Sequence, residues 1–322
     1  MTAADPVIVI GGGIAGISCA RVLAEAGVDV QVLDRGRRLG GRMAVKNIDA
    51  RAVDTGASYF TVSDERFQAV VDDWAARGLA RPWTDTFDVF EDGARAEPKQ
   101  GSLRWGAPGG LRGLVEDLAD GLAVERHTVT SVSRGSGGLL VDDRPAQAVV
   151  LAMPDPQADR LLSPDLSAEV PQLADPFEPV LALSAGWASR QWDEAFDGAF
   201  VNGDDQLAWI ADDGRRRGDD ASVLVAHSTP ALAAEHLESP ESATQPMLRR
   251  LMSLMGIAEQ PEWTDQHRWS FARPTGARDV DHHLSDAGIG LCGDAWSDRP
   301  RVEAAYLSGA ALASALVGQL QR

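Results

Sequence analysis

The chain reads as an α/β protein, a Rossmann-type dinucleotide-binding domain with a second, α+β domain interleaved in its sequence. Three observations predict this. Gly11, Gly13 and Gly16 form a G-x-G-x-x-G run between a short apolar segment and a helical pattern. A second apolar segment ends at the carboxylate of Asp34. Toward the far end, a last apolar segment is broken by Gly293-Asp294 and followed by a long helical pattern.

In chain order, Val7 to Ile10 is a continuous apolar run, and Ile14, Ile17, Val22 and Leu23 then recur at helical spacing up to Gly27. Val28, Val30 and Val32 alternate with Asp29 and Gln31, and Leu33 completes a strand that stops at Asp34. This is the start of a βαβ unit. Leu111, Leu114, Val115, Leu118 and Leu122 mark an amphipathic helix, while Val124 to Val132 and Leu139 to Val141 read as strands joined by a turn at Arg134 to Gly138. Ala148 to Met153 reads as a buried strand ending at Pro154. Ile289 to Leu291 is a last strand, and Val302 to Leu320 a helix whose Ala, Ser and Gly residues permit close packing. Thr61 to Arg104 and Asp159 to Ser285 differ in character, holding most of the tryptophans and the polar loop Asp212 to Asp220. The expected division is 1–60, 108–158 and 286–322 for the dinucleotide-binding domain, with 61–107 and 159–285 for the second domain.

Composition narrows the function. The formal charge of -18 sets a surface that repels phosphate backbones and anionic membranes, so neither nucleic acid nor membrane is an expected partner. Met1 to Pro6 has neither a basic region nor a signal-type apolar stretch, which predicts a cytoplasmic protein. Cys19 and Cys292 are the only cysteines, and metal-type Cys or His spacing is absent, so both read as small packing residues and no metal is expected. Lys46 and Lys99 are the only lysines.

At the strand-to-helix turn, absent side chains at Gly11, Gly13 and Gly16 permit the turn, the approach of a pyrophosphate and close helix packing, while the helix N-terminus attracts the anion. Asp34 can accept hydrogen bonds from ribose hydroxyls. FAD and NAD share this fingerprint, and the segment after Asp34 favours FAD. Arg35-Gly36-Arg37-Arg38-Leu39-Gly40-Gly41-Arg42 adds a glycine pair that lets backbone lie against a ribityl chain, and a guanidinium cluster from which Arg42 could neutralise pyrophosphate or flavin charge. Gly293-Asp294 followed by a helix starting near Arg301-Val302-Glu303 would aim a positive helix end at a flavin pyrimidine ring, with Asp294 on ribityl hydroxyls. Taken alone, Asp294 is equally a turn or N-cap aspartate.

Together these blocks, with Val53-Asp54-Thr55-Gly56-Ala57-Ser58-Tyr59-Phe60-Thr61, Arg104-Trp105, His267-Arg268-Trp269 and Ala272-Arg273-Pro274, resemble the bacterial renalase branch of the flavin-containing amine-oxidase superfamily. The resemblance covers almost the whole chain. It implies a fold of the p-hydroxybenzoate hydroxylase type and a non-covalently bound FAD. It also implies an oxidase that takes hydride from misreduced 2- or 6-dihydro isomers of NAD(P)H, returns NAD(P)+ and passes the electrons to molecular oxygen, giving hydrogen peroxide. Carried over by matching, Ala15, Asp34, Arg35, Gly41, Arg42, Ser58, Tyr59, Val129, Gly293, Asp294, Arg301 and Val302 join Gly11, Gly13 and Gly16 around FAD. Tyr59, Trp105, His267, Arg268 and Trp269 line the substrate pocket. Ser58 stands where related proteins often have glutamine, and Asp294-Ala295-Trp296 and Ala107 to Leu111 also depart from the family pattern.

Hydride removal from a dihydropyridine leaves an aromatic cation, so no protein base is required and no catalytic side chain is assigned. This suits a chain with no Ser-His-Asp order and no lysine after Lys99, where many amine-oxidising relatives hold one. His267-Arg268-Trp269 offers a donor, a cation and a stacking plane for a nicotinamide, although on composition alone such residues are more often packed core. His127, His227, His236, His282 and His283 default to structural or solvated roles, and Asp64-Glu65 and Asp72-Asp73 to exposed helix charges. Two other functions fit the motifs: an FAD-dependent amine oxidase or desaturase of another small metabolite, and a non-catalytic flavin-binding redox sensor.

Overall fold

Val7–Ile10 is apolar at every position, the pattern of a strand covered on both faces. In the computed structural model, which describes residues 5–48, 50–170, 173, 176–276 and 278–322, it lies inside a six-stranded sheet. The leader reading of Met1 to Pro6 rests largely on residues 1–4, which lie outside the described residues. Contacts divide the chain into two units. Unit 1 is Met1–Arg42, Val115–Phe177 and Pro274–Arg322, and unit 2 is Met43–Leu114 and Glu178–Arg273.

The six-stranded sheet of unit 1 runs His283–Leu284, Ile289–Leu291, Ala148–Leu151, Val7–Ile10, Val30–Asp34, Ala123–Arg126. All neighbours are parallel except the short His283–Leu284 strand at one edge. Parallel neighbours require crossovers, and the Ile14–Glu25 helix supplies the first, between Val7–Ile10 and Val30–Asp34. That helix packs closely on Val302–Leu320: a Cβ on Gly309 would lie 2.0 Å from the Ala15 carbonyl oxygen. Residues Val124 to Val132 do not form one strand as expected. Ala123–Arg126 stays in the main sheet, whereas Val132–Gly135 starts a three-stranded antiparallel sheet with Gly138–Val141 and Arg144–Ala146. The break has a cause in Asp142, whose carboxylate accepts from the Thr130 and Ser131 amides at 3.0 Å each and bonds the His127 ring at 2.8 Å, turning the chain out of the strand.

Unit 2 holds an eight-stranded sheet in the order Trp263–Pro274, Phe177–Gly186, Val223–Ser228, Leu207–Asp212, Gly198–Asn202, Arg81–Glu91, Ala94–Gly106, Phe60–Thr61. One face carries Leu181, Leu183, Ile210, Leu224 and Ala226 in a core with the helix Thr244–Met255, which buries Met247, Leu248, Leu251 and Met252 at helical spacing. The other face carries two smaller clusters, Phe87, Trp209 and Ala211 with Tyr59, and Val53, Val223 and Val225 with Trp263.

The unit boundaries lie away from those read in the sequence. Residues 43–60 join unit 2, where the hairpin Val45–Ile48/Arg51–Asp54 places Val53 against Val223 and Val225. Residues 159–177 join unit 1, because Leu162, Leu166 and Leu173 pack into its core with Val132, Leu151 and Trp296.

Candidate cofactor and substrate sites

In unit 1 the glycine run is the tight strand-to-helix turn that a dinucleotide requires. Gly11 adopts φ +112°, and a Cβ there would sit 2.5 Å from the Ala152 carbonyl oxygen; one on Gly16 would sit 2.0 Å from the Gly11 oxygen. A Cβ on Gly41, the second of the later glycine pair, would lie 3.2 Å from the Gly13 Cα, so two side-chain-free backbones line one cradle. Gly13 caps the helix with no side-chain hydrogen bond, which leaves the first-turn amides for a phosphate. Asp34 ends its strand beside them, accepting from Gly12 N through Oδ2 and from Gly36 N through Oδ1, each at 2.6 Å. A carboxylate oxygen has a second lone pair, so ribose hydroxyls can still be bound. These residues fit FAD: Gly11, Gly13, Ala15 and Gly16 would hold its pyrophosphate and Asp34 its ribose.

The guanidinium cluster after Asp34 is divided rather than shared. Arg38 pairs through two hydrogen bonds with Glu116, at 2.9 and 2.7 Å, and Arg35 is exposed. Arg42 turns to Asp294 instead, donating to its two oxygens at 2.9 and 2.5 Å, so two residues 252 apart in sequence form one bidentate pair. Gly293, at φ +148°, donates its N–H to Ser308 Oγ at 2.9 Å, which ties the Gly-Asp turn to the following helix. That helix, Val302–Leu320, starts at an extended Arg301 without a side-chain cap, and Arg301 pairs at 2.7 Å with the buried Glu303. Val129 is buried in the unit-1 core with Leu33 and Val132. Arg42→Ala is expected to leave Asp294 unpaired and raise the dissociation constant for FAD by about tenfold, the scale of one charge-assisted hydrogen bond. Full FAD occupancy of that variant after gel filtration would remove Arg42 from the site.

In unit 2 the segment Val53 to Thr61 is held by buried charge. Leu111 N donates to Asp54 Oδ1 at 2.8 Å, and Arg217 donates to Asp54 Oδ2 at 3.2 Å and to the Pro108 carbonyl at 2.7 Å. Arg216, fully buried, donates to the Ser58 carbonyl at 3.0 Å and to Asp213, which also receives Arg51. Burial pushes the Asp54 carboxyl up, Arg216 and Arg217 pull it down, and Asp213 adds to the rise. Asp212 to Asp220 is therefore not the polar loop expected. It contains the helix Asp213–Arg217, N-capped by Asp212 through Arg215 N at 2.9 Å, with Asp213, Arg216 and Arg217 all buried. Sequence reading missed the burial of these three charges and of the capping Asp212. The signal was present in the strict alternation of acidic and basic blocks, which permits pairing, but Asp54 and Ser58 are contributed from more than 150 residues away.

Strand alternation sorts the expected substrate residues into two faces. Tyr59 packs against Phe87 and Trp209, ring centroids 5.4 and 5.7 Å away, and burial raises its phenol pKa against the influence of Arg104. Trp105 pairs instead with Phe60, the rings stacked at 6.4 Å, beside Phe67 and Trp74. Tyr59 and Trp105 are thus not brought together. His267 and Trp269 share a face and touch edge to face at 4.6 Å, with the Trp269 indole N–H donating to the Thr55 carbonyl at 2.7 Å. Arg268, between them, points the other way and donates to the Leu237 carbonyl at 2.6 Å. A three-residue clamp is therefore not formed, since neighbours along a strand cannot share a face. Burial, reinforced by Lys46, lowers the His267 pKa against Asp265, so its imidazole is neutral at pH 7. Lys46 is itself held by both Asp265 oxygens at 2.7 Å.

A mostly parallel sheet with a glycine cradle, joined in sequence to a large mixed sheet, defines a two-unit dinucleotide-binding protein. Comparison with known proteins gives the family. Residues 9–74 match an NAD(P)-binding Rossmann-like domain, and residues 78–317 match the flavin containing amine oxidoreductases. The chain belongs to the flavin containing amine oxidoreductase family, and FAD is its cofactor. It is 43% identical over 67 residues to a carotenoid 3,4-desaturase of Haloarcula japonica, covering 20% of this chain and 14% of that protein. To flavin-containing amine oxidase A of Canis lupus familiaris it is 48% identical over 61 residues, covering 19% of this chain and 12% of the relative. The matched stretch thus spans well under a fifth of either relative's length. Among solved structures, a protein of Exiguobacterium provisionally assigned as a protoporphyrinogen oxidase superposes with TM-score 0.79 at 16% identity over 100% of both chains. Cyclohexylamine oxidase of Brevibacterium oxydans gives 0.77 at 15%, over 99% of this chain and 100% of that one. At such identities the likeness is one of fold. No helix among the described residues is long and apolar enough to cross a membrane.

Proposed function

We propose that the protein is an oxidase of misreduced nicotinamides, taking hydride from the 2- or 6-dihydro isomers of NAD(P)H and releasing NAD(P)+. The observation that carries this reading is the His267–Trp269 face. It offers an indole fixed by its bond to Thr55 and an imidazole whose lowered pKa makes it a weaker base than a free histidine. The neighbouring Lys46 is occupied by Asp265. Such a face can stack and orient a planar ring, and it provides no strong base. Loss of hydride from a dihydropyridine needs none, because the ring becomes an aromatic cation. Oxidation of an amine begins instead from an ammonium that must lose a proton. FAD, when bound, supplies the hydride acceptor, and dioxygen is the final oxidant, giving hydrogen peroxide.

The family itself favours a second reading, oxidation of a small amine or desaturation of another metabolite. Peroxide release separates the two. Under air, the dihydro isomers are expected to give peroxide and NAD(P)+ in equal amounts, while simple amines give none. Turnover with amines alone would reverse the assignment. His267→Ala is expected to slow flavin reduction by about tenfold, equivalent to ~1.4 kcal/mol or one lost hydrogen bond, with FAD still bound. An unchanged reduction rate would take His267 out of the site.

A further inference from the structure

Across four strands of unit 2, Ala182, His227, Trp209 and Phe200 are directly opposed pair by pair, so their side chains form one lateral row on one face. This is the face away from the helix Thr244–Met255, whose core receives Leu224 and Ala226 from the same strand as His227. Trp263 packs with Val223 and Val225 on it, and alternation along the edge strand then places His267 and Trp269 there too. Trp209 links the row to the Ser58-Tyr59 segment, its indole N–H donating to the Ser58 hydroxyl Oγ at 3.0 Å and its ring packing on Tyr59. His227 thus lies between Ala182 and Trp209 on the same face as His267 and Trp269, and Trp209 in turn packs on Tyr59. Yet its Nε2 is enclosed and has no hydrogen-bond partner among the described residues, while part of the residue's surface stays accessible. A purely packed position would be filled more stably by an apolar ring.

Resting on the function proposed above, we propose that His227 is a specificity-determining residue of the substrate site, hydrogen-bonding the carboxamide of the nicotinamide ring. Histidine's outer torsion is broad and two-fold, so the ring can turn a nitrogen toward a ligand on this face. Burial first, and then the Arg216 charge, hold the His227 pKa down at about 4, so the partner it offers is uncharged. A carboxamide matches a neutral imidazole and the flat Trp209 and Tyr59 rings. An ammonium does not, because Arg216 is close and the carboxylates nearby are engaged, Asp213 and Asp54 by arginines and Asp265 by Lys46.

The test is binding of nicotinamide and of benzylamine to the FAD-loaded protein, followed by perturbation of the flavin spectrum, in wild type, His227→Phe and His227→Gln. Wild type is expected to prefer nicotinamide. His227→Phe should bind it about tenfold more weakly, the scale of one hydrogen bond, and lose the preference. His227→Gln should recover affinity to within about threefold, with melting temperature and flavin spectrum unchanged. Equal nicotinamide affinity in His227→Phe, or no binding to wild type, overturns the assignment; if the Phe variant does not fold, failure of His227→Gln to hold nicotinamide does so. Binding needs no turnover. Nicotinamide held through His227 in a protein that the dihydro isomers do not reduce would keep this inference and reject the proposed reaction, and reduction with His227-independent binding would do the reverse.

Discussion

Arg216→Met is expected to destabilise the protein by about 3–5 kcal/mol, the largest effect of any single change considered. Arg216 and Asp213 are both fully buried, and Arg216 also holds the Ser58 carbonyl. Removing the cation leaves the Asp213 carboxylate dependent on Arg51 and a distant Arg217, and leaves a buried carbonyl without its donor. Urea unfolding of wild type and variant, with equal FAD, measures it. The double variant Asp213→Asn/Arg216→Met should regain part of the loss, because the uncompensated charge disappears with its partner. A loss below ~1 kcal/mol would mean that the cluster does not hold the Val53 to Thr61 segment.

Gly16→Ala is expected to abolish FAD retention, although it adds only a methyl group. The new Cβ would meet the Gly11 carbonyl oxygen at 2.0 Å and the Ala152 Cβ at 3.0 Å, and neither is the end of a flexible chain. The helix must move away from the loop, at a cost of about 1–3 kcal/mol in overpacking, and its first-turn amides move with it. Purified protein should be colourless, with less than about one-hundredth of wild-type affinity, some 2.7 kcal/mol, on titration with FAD. Near-native affinity would mean that the glycine run is only a turn.

The dinucleotide half was legible because its signals are local. Continuous apolar runs and the glycines that end them placed Val7–Ile10, Ile289–Leu291 and Val302–Leu320 at their observed bounds. The Arg42–Asp294 pair was half legible: each residue was singled out for the cofactor, but nothing local says that they meet. The Asp213–Arg217 helix was misread because a run of aspartates and arginines is usually solvated. Its burial depends on Asp54, Arg51 and the Ser58 carbonyl, and only the folded sheet assembles them. For His267, Arg268 and Trp269 the period of two was visible in the sequence and would have separated Arg268 from the other two. His227 carried no local signal, since its significance comes from the register that sets it opposite Trp209.

Anaerobic mixing of the FAD-loaded protein with 6-dihydro-NAD, ordinary NADH and a simple amine, each followed by loss of flavin absorbance, tests the central claim most directly. The proposed function predicts rapid bleaching by the 6-dihydro isomer and little by the others. Rapid bleaching by the amine, with the flavin left oxidised by the 6-dihydro isomer, would contradict it.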